Sequence, residues 1–459
     1  MYQKDDFKLR IKNSIEENDI NQAKILIDKY YKDYEIDIEY FSLLGIIEIL
    51  EGNYLEAKKT IKSGLDMKPD NYDLLFNMNY LMKNIFSDIS EEKRYYIWSR
   101  LFNVNLECEN PFMNMQKKIC DFTTSNILHG TIEIANQMNT LTRGLSNMGL
   151  SAKSLNYYPS YLKYKADYEI DLYKGNDVNV ANNISKKLAS RFINENDIFH
   201  FHFGTSLTLD YSDLPLLKEL QKKVVMQYWG SDVRLYSKAV KHNPYIKVKD
   251  MNEDMIKRKV ELISKYIPDC IVDYELAEYV KEFHDNVHYT KVAIDLEKYE
   301  YTYDDNLTNS KFMIVHAPTS PEHKGTDYII KALSELNVDF DFELKLVQGM
   351  SNEEATKIYM KADLIIDQIL AGSYGVFAVE SMAMGKPVIS WISDFMKEKY
   401  PDDLPIISAN PDNIKKTLEY LLKNKDILPE IGHKGRLYVE KYHDMNKISK
   451  NMVDIYKKI

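Results

Sequence analysis

DQILAGSYGVFAVESMAMGKPVIS, Asp367 to Ser390, links one apolar run, Leu364 to Ile366, to a second, Pro387 to Ile389, through a glycine turn and a short helix that carries the carboxylate Glu380. Neither run alternates with polar residues, so both read as strands covered on two faces, the pattern of a parallel α/β sheet. In such sheets ligands bind beyond the carboxyl ends of the strands. A helix N-terminus preceded by glycine offers phosphate free N–H groups and a partial positive charge. Ser373 is the expected N-cap, and Tyr374, Gly375, Val376 and Phe377 are the residues expected to present those groups.

The stretch resembles the C-terminal half of retaining glycosyltransferases of the GT-B fold, family 4. Their signature is two glutamates eight residues apart around a glycine, then a small-residue helix and G-K-P-V-I. Glu380, Gly375 and Gly385 to Ile389 match it, whereas Gly372 stands where the first glutamate would fall. The resemblance implies that Glu380 holds the ribose hydroxyls of a sugar nucleotide. Asp367 is the candidate replacement for the missing carboxylate.

Composition narrows the class. A chain of 459 residues is long enough for about three domains. Its formal net charge of -10 argues against a general nucleic-acid footprint, which needs clustered Lys and Arg. The richest basic stretch, Lys241 to Lys259, is diluted by Asp250, Glu253 and Asp254, and reads as a solvated helix face or a membrane-surface patch. Cys108, Cys120 and Cys270 have neither an even count nor metal-ligand spacing. The opening MYQKDDFKLR lacks an apolar signal region, and no apolar run is long enough to span a bilayer. The expectation is a cytoplasmic protein, with peripheral association at the inner membrane face left open.

Residues 1–90 carry an internal repeat. NDINQAKILIDKYY aligns with GNYLEAKKTIKSGL so that Ala23 falls 34 residues before Ala57, the tetratricopeptide period. Paired helices of this kind cannot bury their apolar faces alone. The module is therefore either a helical cap for the next domain or a docking surface for a protein partner or a second copy of the chain. Residues 91–115 read as a linker and connecting helix.

Residues 116–300 read as an N-terminal, acceptor-side Rossmann-like domain. KKICDFTT is the expected first strand, SNILHG the turn bearing His129 and Gly130, and TIEIANQMNTLTRGLSNMG the helix after it. DIFHFHFGTS, Asp197 to Ser206, puts His200 and His202 on one face of a strand near its end. The family resemblance implies that His202 faces the cleft and orients the reacting sugar, and that His129 and Gly130 approach donor phosphate or acceptor. A metal site at the two histidines lacks an accompanying ligand set. Asp232, in the turn Gly230-Ser231-Asp232 after strand VVMQY, has two readings, an acceptor contact or a helix N-cap.

Residues 301–442 read as the nucleotide-sugar donor domain, and residues 443–459 as a helix crossing back to the N-terminal domain. Strand FMIVH leads to a loop where the family places an arginine and a lysine on the donor diphosphate. Lys324 matches the lysine, while Pro318, Thr319, Pro321 and Glu322 span the arginine's place. His323 or Arg234 are candidate substitutes. Gly349, in the loop after strand FELKLV, falls where the family holds the nucleobase. Asp339-Phe340-Asp341 resembles a metal-binding D-x-D but precedes a strand of the wrong context.

The sequence reading is thus a retaining, metal-independent glycosyltransferase without a cofactor, moving a sugar from a nucleoside diphosphate sugar to a glycan, lipid or protein hydroxyl. His202, Lys324 and Glu380 are the catalytic candidates. The alternative is a catalytically inactive GT-B module that binds nucleotide and serves a complex through its helical repeats. A sugar-nucleotide epimerase of related fold is a third, less favoured class.

Overall fold

The computed structural model describes residues 2–106, 112, 122–301 and 311–459. Its two compact units do not follow the boundaries expected from sequence. One comprises Met1–Cys120, Gly175–Asn196 and Leu207–Gln221; the other comprises Asp121–Lys174, Asp197–Ser206 and Lys222–Ile459.

The first unit is helical: α1 (Tyr2–Glu16), α2 (Ile20–Asp33), α3 (Ile38–Leu50), α4 (Tyr54–Met67), α5 (Tyr72–Tyr80) and α6 (Ile89–Leu101), then Val178–Glu195 and Asp213–Glu219. Side-chain caps start several of them. Asp19 accepts from the Gln22 N–H, Asp37 from Tyr40, Asn71 from Leu74 and Asp88 from Glu91, each cap stabilising its helix by about 1 kcal/mol. The repeated alanines Ala23 and Ala57 are both fully buried. Close approach is enforced at Gly64, where an added Cβ would lie 2.6 Å from Leu74. The expected linker segment begins within α6, which packs on Val178–Glu195, so this layer is closed by chain remote in sequence.

The second unit holds two parallel sheets. The larger has the order β3-β2-β1-β4-β5-β6-β7, and the smaller β11-β10-β8-β9. The seven strands are β1 (Asn126–Thr131), β2 (Ser151–Asn156), β3 (Tyr168–Glu169), β4 (Ile198–His202), β5 (Lys223–Gln227), β6 (Asp269–Val272) and β7 (Asn286–Tyr289). The four are β8 (Phe312–His316), β9 (Phe342–Leu346), β10 (Leu364–Ile366) and β11 (Val388–Ile389). Both strands flanking the Asp367 to Ser390 stretch are present and paired directly, Ile365 with Val388 and Ile366 with Ile389.

One expected element moves. Of KKICDFTT, residues 117–121 lie outside the described residues, and Phe122–Thr124 is a single 3₁₀ turn. The first strand is instead the segment expected to be the turn, so His129 and Gly130 sit inside β1 and are buried. The following helix begins at Gln137. Cys108 and Cys120 also lie outside the described residues, while Cys270 is a buried free thiol.

The two sheets are joined where Ile294 N–H donates to the His443 carbonyl (2.7 Å) and Met445 N–H to the Ile294 carbonyl (2.9 Å). Before this crossing, the helix Leu428–Tyr442 packs on Val376–Ala383 of the smaller sheet's layer. After it, Met445–Lys458 buries Ile448, Met452, Ile455 and Tyr456 among Ile127, Leu141, Ile198, Val225 and Ile271 of the larger sheet's core. Among the described residues, no helix is long and apolar enough to cross a membrane.

Candidate functional site

The carboxyl ends of β8 and β10 build one wall of a cavity of about 560 Å³. The His316 imidazole at the end of β8 is fixed by the Ile366 carbonyl (2.8 Å) and the Thr326 hydroxyl (2.9 Å). The chain then turns through Pro321–Lys324 and reverses at Gly325. There φ is +81° and an added Cβ would lie 2.6 Å from Ile369, so only glycine fits. The turn places Lys324 Nζ 2.5 Å from Oδ1 of Asp367, the residue that follows β10.

Asp367 is fully buried, and its second oxygen accepts the Gly375 N–H at 3.1 Å. Both oxygens are thus engaged within the protein, and Asp367 stands behind the cavity wall, anchoring Lys324 and the turn into helix Val376–Ala383. This corrects the expectation that Asp367 grips the donor directly. Gly375, not Ser373, is the N-cap of that helix. The Ser373 carbonyl instead accepts from the Gln368 side chain (2.7 Å). First-turn N–H groups have no intrahelical partner, and Val376 and Phe377 line the cavity with Gly375, Gly349 and Lys324.

Glu380 lies one turn further along the same helix and lines the cavity while only 6% exposed. Burial pushes its carboxyl up to about 7, against the opposing effects of the Tyr299 hydroxyl, which donates to it at 2.8 Å, and of Lys324 nearby. Gly372 has φ +78°, and an added Cβ would stand 3.1 Å from Ser393 and 3.3 Å from Asn243. The backbone itself therefore disfavours a glutamate at this position. Tyr374 turns away from the larger cavity, its hydroxyl 3.2 Å from His443 and 3.3 Å from the Tyr438 hydroxyl.

The opposite wall comes from loops of the larger sheet. Glu133, after β1, accepts the N–H groups of Met138 (3.1 Å) and Asn139 (3.0 Å), and burial pushes it up to about 7. Tyr158, Tyr161 and Tyr164 complete this wall. A second cavity of about 290 Å³ adjoins it, sharing Ile134, Lys249, Lys324, Gly375 and Val376 and adding Trp229, Ser231 and Arg234. The sequence reading missed Glu133, the three tyrosines, Trp229 and Tyr299. They occupy irregular segments or element ends without spacing patterns to mark them.

Several acceptor-side expectations are corrected. Asp232 is buried and accepts the N–H groups of Trp229 (3.1 Å) and Gly230 (2.7 Å), so it stabilises its own turn instead of facing an acceptor. Arg234 is held bidentately by Glu275 at 2.7 and 2.6 Å. His129, His200 and His202 are fully buried and line none of the described cavities, so His202 does not face the cleft.

The three histidines form a directed hydrogen-bond chain. Burial holds all of them well below the usual imidazole range, hence neutral, with one proton per ring. The Trp229 indole N–H must donate to His202 Nδ1 (3.2 Å), which puts the His202 proton on Nε2. His202 Nε2 then donates to His129 Nδ1 (3.1 Å), and His129 Nε2 to the Tyr456 hydroxyl (3.0 Å). Tyr456 in turn donates to His200 Nδ1 (2.6 Å). Candidate ligand atoms of the three rings lie within 4.8 Å of one another. Hydrogen bonds nonetheless occupy both nitrogens of His129 and of His202, which accounts for the clustering without an ion.

The fold has clear counterparts among solved structures. Sucrose-phosphate synthase from Thermosynechococcus elongatus matches with a TM-score of 0.54 at 11% identity, covering 73% of this chain and 98% of that one. The Anabaena protein HepE, solved in complex with UDP-glucose, matches with 0.54 at 11% identity, over 73% of this chain and all (100%) of that one. A glycosyltransferase from Rickettsia africae matches with 0.51 at 16% identity, over 73% and 98%. The fold is the α/β fold of glycosyltransferases. In sequence, the chain is 24% identical to an uncharacterised glycosyltransferase of Methanocaldococcus jannaschii over 243 residues, 48% of this chain and 64% of that protein. It is 22% identical to a trehalose synthase of Pyrococcus horikoshii over 153 residues, 33% of this chain and 37% of that protein. The chain therefore spans less than two thirds of the length of either relative. No family model matches it.

Proposed function

We propose that the chain is a GT-B glycosyltransferase of the family 4 type that transfers a sugar, with retention, from a nucleoside diphosphate sugar to an acceptor hydroxyl. The observation that carries this reading is one helix, Val376–Ala383. It brings unpaired first-turn N–H groups and the carboxylate Glu380 to the same wall of the 560 Å³ cavity, beside Lys324. Phosphate at the helix N-terminus and ribose at Glu380 would lie one helical turn apart, about 5 Å. Departure of the nucleoside diphosphate gathers negative charge on its oxygens. Fixed N–H dipoles and Lys324 stabilise that charge where it develops, in a site shielded from water. On this reading neither a metal ion nor a cofactor beyond the nucleotide sugar is required, because helix and lysine supply the positive potential.

The acceptor enters through the adjoining 290 Å³ cavity, past Trp229 and Ser231. The paired helices of residues 1–90 are read as a tetratricopeptide-like module that docks a protein partner or a second copy of the chain. UDP-glucose is the first donor to try, being the ligand in the HepE structure. Free UDP released only when acceptor is present supports transfer. It also excludes the epimerase reading.

One observation favours a second reading. Lys324 is already neutralised by Asp367, and no arginine stands in the loop Pro318 to Glu322. A module of that composition could bind nucleotide without turning it over. Nucleotide binding without sugar release from any donor, over a broad acceptor panel, would favour the inactive scaffold.

A further inference from the structure

This inference rests on the reading of the two adjoining cavities as a nucleoside diphosphate-sugar site. A diphosphate brings at least two negative charges, and the cations that line the cavities are mostly committed. Arg234 is bound by Glu275 at 2.6 Å, and Lys247 faces Glu322 at 3.4 Å. Lys324 is 2.5 Å from Asp367. Among the described lining residues, Lys249 is the one lysine or arginine without a carboxylate partner.

Its position adds to this. Lys249 lines both cavities, and they share Lys324, Gly375 and Val376, so the lysine stands where nucleotide side and acceptor side meet. It belongs to the basic stretch expected to be a solvated helix face. In the structure the helix begins only at Glu253, and residues 246–250 run as irregular chain along the smaller cavity. The side chain comes from the larger sheet's half of the unit, whereas the N–H groups of Val376 and Phe377 come from the smaller sheet's half.

We propose that Lys249 is the diphosphate-binding cation of this site, reaching from the opposite side to fill the role of the arginine absent from the loop Pro318 to Glu322. The donor's diphosphate is then held between the helix N-terminus and an ammonium group from the facing half. Its arrival couples the two halves through one contact.

The test is calorimetric titration of the full chain at low salt with a panel of nucleoside diphosphates, beginning with UDP, and with the matching nucleosides. Lys249→Ala is expected to weaken the diphosphate by about 10- to 100-fold, the range of a lost hydrogen bond to a charged group. The nucleoside is expected to bind as in wild type. Lys249→Arg should keep most of the affinity. Unchanged diphosphate affinity in Lys249→Ala, or an equal loss for nucleoside and diphosphate, overturns the assignment of Lys249 alone. Failure of the wild-type chain to bind any nucleoside diphosphate overturns the donor-site reading as well.

Discussion

At the scale of single residues, Gly372 and Glu380 answer to different physical constraints. Gly372 is tied to its backbone. At φ +78°, with Ser393 and Asn243 3.1 to 3.3 Å from the place of a Cβ, any larger residue is strained. Gly372→Glu should therefore lower stability by about 1–3 kcal/mol and add no donor affinity. Urea melts and UDP-glucose titrations check both halves, and a variant that is as stable as wild type and binds donor more tightly would refute the argument. Glu380 carries a pH signature. Its carboxyl is pushed from 4.5 to about 7, so between those values the folded chain holds more protons than the unfolded one, and stability falls as pH rises through that window. Above 7 the full cost of the buried charge remains, on the order of 3 kcal/mol. Glu380→Gln should thus raise the ligand-free melting temperature at pH 8 and flatten its decline above pH 5. Glu133, also pushed to about 7, keeps its own share of the slope. If Glu380 holds the ribose as proposed, the hydroxyls donate to its ionised form, so UDP-glucose affinity should rise between pH 6 and 8 in wild type and lose much of that rise in Glu380→Gln.

At the scale of elements, β8, β10 and β11 of the smaller sheet are legible in sequence because their apolar residues run unbroken. FMIVH, LII and PVI have no polar interior to disguise them. β1 is legible only as a turn because His129 and Gly130 interrupt its apolar run near the end. Their polar atoms are satisfied by partners far along the chain, with Tyr456 lying 327 residues beyond His129. No local pattern reports such a bond. The same chain of bonds fastens helix Met445–Lys458 to the larger sheet, since Tyr456 accepts from His129 and donates to His200. Tyr456→Phe leaves a buried donor and a buried acceptor unpaired, and should cost about 2–4 kcal/mol. The equivalent loss at Tyr245, an exposed hydroxyl bonded to Asp412, should stay below about 1 kcal/mol. Equal effects for the two substitutions in urea titrations would count against the buried chain of bonds as a structural tie.

At the scale of the whole molecule, sequence gave a run of domains along the chain, whereas the helical unit is assembled from three separate segments. Periodicity can find its first two helix pairs because Ala23 and Ala57 repeat. It cannot show that Val178–Glu195 and Asp213–Glu219 belong with them, since those helices carry no copy of the repeat. Their fit is nevertheless specific. Lys187 reaches Asp66 at 3.2 Å and lies over the Trp98 ring, Asn194 donates to the Ser90 hydroxyl (3.1 Å), and Tyr96 and Arg100 both bind Glu219, at 2.7 and 2.9 Å. A chain that starts after Leu101 keeps Val178–Glu195 and Asp213–Glu219 but loses the helices they pack on. It is expected to give poor soluble yield and a broad thermal transition in place of a cooperative one. A chain shortened only by α1 and α2 leaves these contacts intact and should melt cooperatively, with the core around Leu43 and Ile47 weakened. Circular dichroism melts of both, beside the full chain, decide the matter. A sharp transition at the full chain's temperature in the protein lacking residues 1–101 would mean that the helical unit can be detached.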